Sequence, residues 1–425
     1  MKQKPRRNQL RTGRCFVASG ACFGIISAAG FSAHAQSTSE ASQIAQLQQQ
    51  NESLQKQLIM LEDMAKKEGL LPSNSDPPVA AMSQITLSGF VQASYFYNTA
   101  RPAGGYSAGY LWNTKDNNFS INKVKITLAS PPAERTGAKW DAGYRVSVMA
   151  GEDAPVLNTG SGVTGFDWLR EAYVDMNVPI GTGLNVKAGE MISLLNYESG
   201  DGGAANENFS QGYQWYYTGN GPEAGIQLDY AFTDWLDAKI RVENGLYGGN
   251  IATTSKKGLM GSIALTPNDK FWVDLNGFGG EGVATIEADG GEVLAGYQVT
   301  KQLGTGLEAD YFHLTHPTDN LWSLGGWTWY DFTPKVGLAF RADIVQQKEG
   351  VGNFDSPAYR NIPLAGIASV PGGGHIASFT LTLNLKPTPN IKIQPEIRYD
   401  TTSYSAGFNG KDYQFIIGCG ASYLF

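Results

Sequence analysis

The residues best suited to chemistry in this chain recur at a spacing of two. Lys392, Gln394, Glu396, Arg398 and Asp400 alternate with Ile391, Ile393, Pro395, Ile397 and Tyr399. The order repeats in Asp237, Lys239, Arg241 and Glu243 against Leu236, Ala238, Ile240 and Val242, and in Arg341 and Asp343 against Phe340, Ala342 and Ile344. It appears again in Lys123 and Lys125 against Val124, Ile126 and Leu128. Neighbouring side chains of a β-strand point to opposite faces, so each segment has one charged and one apolar face. Arg145, Glu171 and Asp175 belong to the same charged set. Mixed signs at this spacing suit hydration and ion pairing more than covalent catalysis.

Covalent and metal chemistry finds little to work with. Beyond residue 35 the chain has only His313, His316 and His375. The first two are three apart, on opposite faces of a strand, and no Cys or close acidic pair completes a metal site. A hydrolase would need a Ser with a His base, and no local signature of one is present. Neither enzyme activity nor a cofactor is expected. Asp289-Gly290-Gly291-Glu292 and Asp201-Gly202-Gly203 read as turns with at most weak cation affinity. Trp322, Trp327 and Trp329 read as a sugar-stacking track or, more commonly, as part of an interfacial aromatic belt.

Charged faces must be wet and apolar faces must meet oil or a core. From Gln84 the chain reads as sixteen such segments, beginning near 84, 119, 138, 168, 183, 223, 235, 257, 270, 291, 304, 320, 335, 375, 390 and 412. Short turns at 131–136, 179–182, 233–234, 267–269, 301–304, 333–334 and 387–390 alternate with loops near 98–118, 151–167, 195–221, 247–256, 281–290, 315–319, 348–374 and 403–411. An even strand count with short turns on one side and long loops on the other predicts an all-β fold, a transmembrane antiparallel β-barrel of about 16 strands. No apolar run of about 18 residues follows the N-terminus, so no spanning helix is expected, and a barrel needs none. Arg or Lys facing lipid at mid-membrane costs roughly 2–4 kcal/mol, so the charged face must turn inward. Sixteen strands enclose more width than side chains fill, which predicts a water-filled bore lined by these residues.

The last strand carries a further signal. Tyr413, Phe415, Ile417, Cys419, Ala421, Tyr423 and Phe425 form one apolar face tipped by aromatic residues at both ends. Tyr423 and Phe425 resemble the closing-strand signal read by the barrel-assembly machinery of bacterial outer membranes, and outer-membrane lipid is the expected neighbour.

The N-terminal part is different in texture. Residues 1–35 combine a basic start, an apolar stretch and Ala33-His34-Ala35, the pattern of a secretory signal peptide. Without it 26 Lys and Arg face 39 Asp and Glu, a net charge near −13, so no nucleic-acid partner is expected. Cys419 is then the sole thiol. In 36–68, Ile44, Leu47, Asn51, Leu54, Leu58 and Leu61 fall at spacings of three and four, a short α-helical coiled coil with a polar Asn51 at its core. It predicts a homo-oligomer, and Asn51 often accompanies two strands. Residues 69–83, with Pro72, Pro77 and Pro78, read as a linker before the barrel at 84–425. Both ends of the barrel fall on the short-turn side, which predicts a periplasmic coiled coil.

With these residues in place the chain resembles the outer-membrane β-barrel porins of the OmpL-like group. The similarity runs through Glu171-Ala172-Tyr173-Val174, the stretch 179–189, Asn208-Phe209-Ser210, 225–234 and Pro395-Glu396-Ile397-Arg398-Tyr399-Asp400. It implies a channel for passive diffusion of small hydrophilic solutes, and porin precedent favours a trimer over the dimer suggested by Asn51. Classical porins also fold the third long loop into the lumen. Here that loop holds Glu198, Asp201, Glu207, Tyr213 and Trp215; folded inward, its carboxylates would face the wall cations as a constriction, and otherwise it is an external loop of no selective role. The alternatives are a substrate-specific channel for a sugar or other small solute, and a structural protein that tethers the outer membrane to the cell wall through the coiled coil.

Overall fold

A computed structural model describes residues 85–102, 104–110, 113–158, 167–219, 221–246, 255–281, 287–315, 318–348, 373–403 and 407–425, together with Lys56 and Met60. The chain divides into a unit holding Thr86–Phe425 and another spanning Lys4–Ile85. The coiled-coil positions Ile44, Leu47, Asn51, Leu54, Leu58 and Leu61, the leader and the linker lie outside the described residues.

Thr86–Phe425 contains sixteen strands. The first eight are β1 (Thr86–Asn98), β2 (Asn118–Ala129), β3 (Asp141–Ala150), β4 (Leu169–Val178), β5 (Leu184–Met191), β6 (Glu223–Ala231), β7 (Leu236–Glu243) and β8 (Gly258–Asn268). The rest are β9 (Phe271–Glu281), β10 (Glu287–Gln298), β11 (Leu303–Thr315), β12 (Thr318–Thr333), β13 (Val336–Gln347), β14 (Gly374–Thr388), β15 (Ile391–Thr402) and β16 (Tyr413–Leu424). Each pairs antiparallel with the next, and β1 pairs with β16 from Phe90↔Leu424 to Asn98↔Ile416. The sheet therefore has no free edge, the condition for strands to cross a membrane. Two short helices, α1 (Ala154–Leu157) and α2 (Tyr213–Tyr217), sit in the connections.

Alternation sets the two surfaces. Ile240, Val242, Phe340, Leu381, Ile397 and Ile417 point outward, each 44–51% exposed on the isolated chain. Outward rings gather at both rims: Tyr95 with Phe119 and Tyr399 with Phe415 near the long loops, and Tyr230 with Phe232 and Tyr330 with Phe332 near the short turns. Tyr423 and Phe425 belong to this outer surface, and Phe425 exchanges backbone hydrogen bonds of 2.9 and 3.0 Å with Gly89.

Three details depart from the sequence reading. Asp289, Gly290, Gly291 and Glu292 lie within β10 and are not a turn. Gly290 is needed there because a Cβ would sit 2.6 Å from the inward Phe278 ring and 2.2 Å from the Tyr311 carbonyl. The segment 130–140 between β2 and β3 is also longer than the turn expected at 131–136. Trp322 is separated by odd spacings from Trp327 and Trp329, so it faces outward while the other two face inward. The three indoles thus form neither one track nor one belt.

Candidate functional site

The connection 192–222 after β5 turns back onto the inner wall, and its route is written in hydrogen bonds. Asn276 on β9 donates to the Leu194 carbonyl at 3.3 Å. The Asn196 and Tyr197 backbone N–H groups donate to Glu292 on β10 (2.5 Å) and Glu308 on β11 (2.7 Å). Farther along, the N–H of Phe209 donates to Glu396 (2.7 Å) and that of Tyr213 to Asp343 (2.7 Å). Arg398 donates to the Gln211 carbonyl (2.6 Å), and Lys392 to that of Asn206. Wall charges thus satisfy a loop whose own backbone lacks regular partners, the requirement for any buried segment.

Four ion pairs join loop and wall or reinforce that wall. Arg341 meets Glu198 at 2.8 Å with side chains 0% and 4% exposed, and also Asp343 at 3.2 Å. Asp201 meets Lys125 at 2.9 Å. Arg398 pairs with Asp400 at 2.7 Å and lies 4.7 and 4.8 Å from the ring centres of Tyr110 and Tyr213. Tyr110 comes from the connection after β1, so two loops meet on this arc. Burial keeps both tyrosine hydroxyls well above the usual phenol range, so both rings stay neutral beside the guanidinium. Burial also pushes the Asp201 carboxyl up, but Lys125 and Arg170 outweigh it and hold the group below the ordinary carboxylate range.

The remaining residues singled out from the sequence fall as follows. Lys123 is buried and pairs with Asp153 at 3.5 Å. Lys125 also reaches Glu171 at 3.7 Å, and Glu171 accepts from Arg145 at 2.8 Å. Asp175 accepts from Asn185 and from the Ala133 N–H. Lys239 lies 3.3 Å from Asp237. Arg241 donates to Gln227 and to the Ile192 carbonyl, with Glu243 3.9 Å away. Trp215 is buried and donates to the Glu198 carbonyl at 2.8 Å, and Glu207 accepts from Asn384 through its backbone carbonyl at 2.8 Å. The loop carboxylates Glu198 and Asp201 therefore meet wall cations in direct contact. They do not face them across an open gap, because the loop lies on the wall.

Several residues in the site were not singled out from the sequence. Arg135, in the β2–β3 connection, pairs with Asp237 at 2.8 Å and with Asp229, bringing that connection onto the inner wall near the short-turn rim. Tyr197 lies over the inward Gly306 beside Trp272 and Trp327. Trp272 shares its face with Asp274 and Asn276, so strand alternation alone could have marked it as inward.

A closed sixteen-strand barrel with an apolar outside, aromatic rims and a loop held on its charged inner wall is an outer-membrane barrel of the porin class. The chain belongs to the family described as "Putative beta-barrel porin-2, OmpL-like", whose model matches residues 84–425. Among solved structures it is similar to the outer-membrane channel DcaP of Acinetobacter baumannii, at 13% identity and TM-score 0.51 over 80% of this chain and 97% of that one. It is also similar to OprB of Pseudomonas putida, at 14% identity and TM-score 0.52 over 80% and 94%. An anion-selective porin from Comamonas acidovorans matches at 12% identity and TM-score 0.50 over 80% and 99%. At such identities the likeness speaks for the fold. A search of curated protein sequences found no significant match. Family and fold together support an outer-membrane channel for small solutes, rather than an enzyme.

Proposed function

We propose that the barrel is a water-filled channel for passive diffusion of small hydrophilic solutes, narrowed by the connection 192–222. The observation that carries this is the unequal cover of the charged wall. Loop contacts bury Arg341 and Arg398, whereas Arg145, Asp237 and Lys239 on β3 and β7 keep 19 to 36% of their side chains exposed. The permeation path runs between the loop and the β3–β7 arc. Exposed charges of both signs give a weakly selective path, with at most a slight cation preference from the net negative chain.

In this reading Tyr423 and Phe425 present the assembly signal, and 36–68 forms the periplasmic coiled coil of a homo-oligomer, trimeric by porin precedent or dimeric by Asn51. Purified protein in planar bilayers should give discrete conductance steps and a small reversal potential in a salt gradient. Silent bilayers at saturating protein would refute the channel.

A further inference from the structure

One row of inward positions on the short-turn side of the loop is aromatic at its ends and empty in the middle. Strand register sets Trp272 of β9 beside Gly296 of β10, Gly296 beside Gly306 of β11, and Gly306 beside Trp327 of β12. The glycines make room for rings. A Cβ on Gly296 would sit 2.2 Å from the Trp272 indole, and one on Gly306 would sit 2.3 Å from the Tyr197 ring. One step lower, a Cβ on Gly304 would sit 2.2 Å from Trp329. Tyr197 stacks nearly parallel to its neighbours, at 9° and 6.0 Å from Trp272 and 23° and 4.5 Å from Trp327.

Trp327 is buried and commits its indole N–H to Glu198 at 3.3 Å. The others differ. Tyr197, Trp272 and Trp329 are half-buried, and among the described residues neither the two indole N–H groups nor the Tyr197 hydroxyl bonds to protein. Carboxylates stand at the margin: Asp331 is the next inward residue after Trp329 on β12, and Glu198 accepts from the Trp327 indole.

We propose that this row is a binding platform for the flat face of a pyranose ring, a carbohydrate subsite within the channel reading on which it rests. A pyranose offers C–H groups from its face, which pack on aromatic rings, and hydroxyls from its edge, which need donors and acceptors. The platform supplies flat rings, uncommitted N–H and O–H donors, and carboxylate acceptors at its rim. A purely apolar solute would leave those polar groups unused.

Maltotriose is the probe, added to full-length protein in detergent with tryptophan emission as the readout, and separately to bilayers with current as the readout. Saturable emission change and saturable current block are expected, and Trp272→Ala and Trp329→Ala should each weaken the affinity roughly two- to tenfold. Trp329→Phe, which keeps a flat face and loses the N–H, should fall between. Equal affinity in wild type and both alanine variants overturns the platform, as does absent binding with normal conductance, which leaves the channel intact. Binding to a protein that never conducts supports the platform and overturns the channel.

Discussion

Two arcs of one wall carry the same charge pattern and put it to different use. On β13 and β15, Arg341, Asp343, Glu396, Arg398 and Asp400 are all 4% exposed or less, because loop backbone and loop side chains cover them. On β3 and β7, Arg145, Asp237 and Lys239 alternate with apolar residues in the same way but keep part of their surface in the lumen. Inward alternation identifies the wet face of a strand. What the charges on that face do depends on which part of the wall a distant segment covers.

The sharpest way to break the contrast is to uncover the buried arc. Arg341→Ala leaves Glu198 and Asp343 as uncompensated buried carboxylates and frees the loop carbonyl of Ser210. Removing one partner of a buried pair typically costs about 3–5 kcal/mol. The variant should unfold earlier in heat-modifiability gels, and surviving channels should show larger, noisier conductance as the loop leaves the wall. A stable variant of unchanged conductance would mean that the loop does not depend on this arc.

The next test is on the other arc. Arg135 is about one-third exposed, but Asp229, its partner, is buried. Burial lowers the Arg135 pKa, yet Asp229 and Asp237 outweigh it and raise the value overall, so the guanidinium is charged at every working pH. Arg135→Gln should cost about 1–3 kcal/mol, the desolvation of a group left unpaired, and raise conductance by releasing the 130–140 segment from the short-turn rim. Unchanged conductance would confine that segment to a structural role.

A pH titration probes a loop-to-wall contact on β2 without mutation. The Asp201 carboxyl is held below its ordinary value of 3.8. A carboxylate whose pKa falls on folding contributes stability that is present above the unfolded value and lost as pH drops through the folded one. The Lys125–Asp201 contact should therefore persist from pH 7 to about pH 4 and weaken only in stronger acid. Conductance steps recorded across that range should not reveal loop release, and Asp201→Asn should remove this contribution already at pH 7.

These tests also mark what the sequence could and could not disclose. Sixteen strands and their inward faces were readable because lipid enforces a period of two on every segment. Lys392 through Asp400 follow it without exception. The loop's route was not readable, since its principal contacts join backbone N–H groups of Asn196, Phe209 and Tyr213 to wall carboxylates, and backbone donors leave no mark in residue type. Arg170 was hidden for another reason. A register irregularity between β3 and β4 pairs Ser147 with Glu171 and Val148 with Leu169, skipping Arg170, which ends buried against the Leu157 carbonyl. Gly290 misled in the opposite sense, because a glycine that makes room for Phe278 has the same letter as a glycine in a turn.

The smallest effect sharpens the comparison most. Lys239 and Asp237 lie two apart on β7, 3.3 Å from each other and partly exposed. Exposed pairs contribute only about 0–1 kcal/mol, so Lys239→Gln should not lower thermal stability measurably, whereas Asp237→Asn also loses the Arg135 pairing and should lower it modestly. Each nevertheless changes the charge along the permeation path. Lys239→Gln should move the reversal potential toward cations and Asp237→Asn toward anions, by no more than about fivefold in permeability ratio, the equivalent of 1 kcal/mol. Arg398→Gln on the covered arc should do the reverse, lowering stability while leaving ion preference nearly fixed, because its guanidinium is shielded from the lumen by Tyr110 and Tyr213. If Arg398→Gln shifted selectivity as much as Lys239→Gln did, both arcs would line the path and the loop could not be lying where its hydrogen bonds place it.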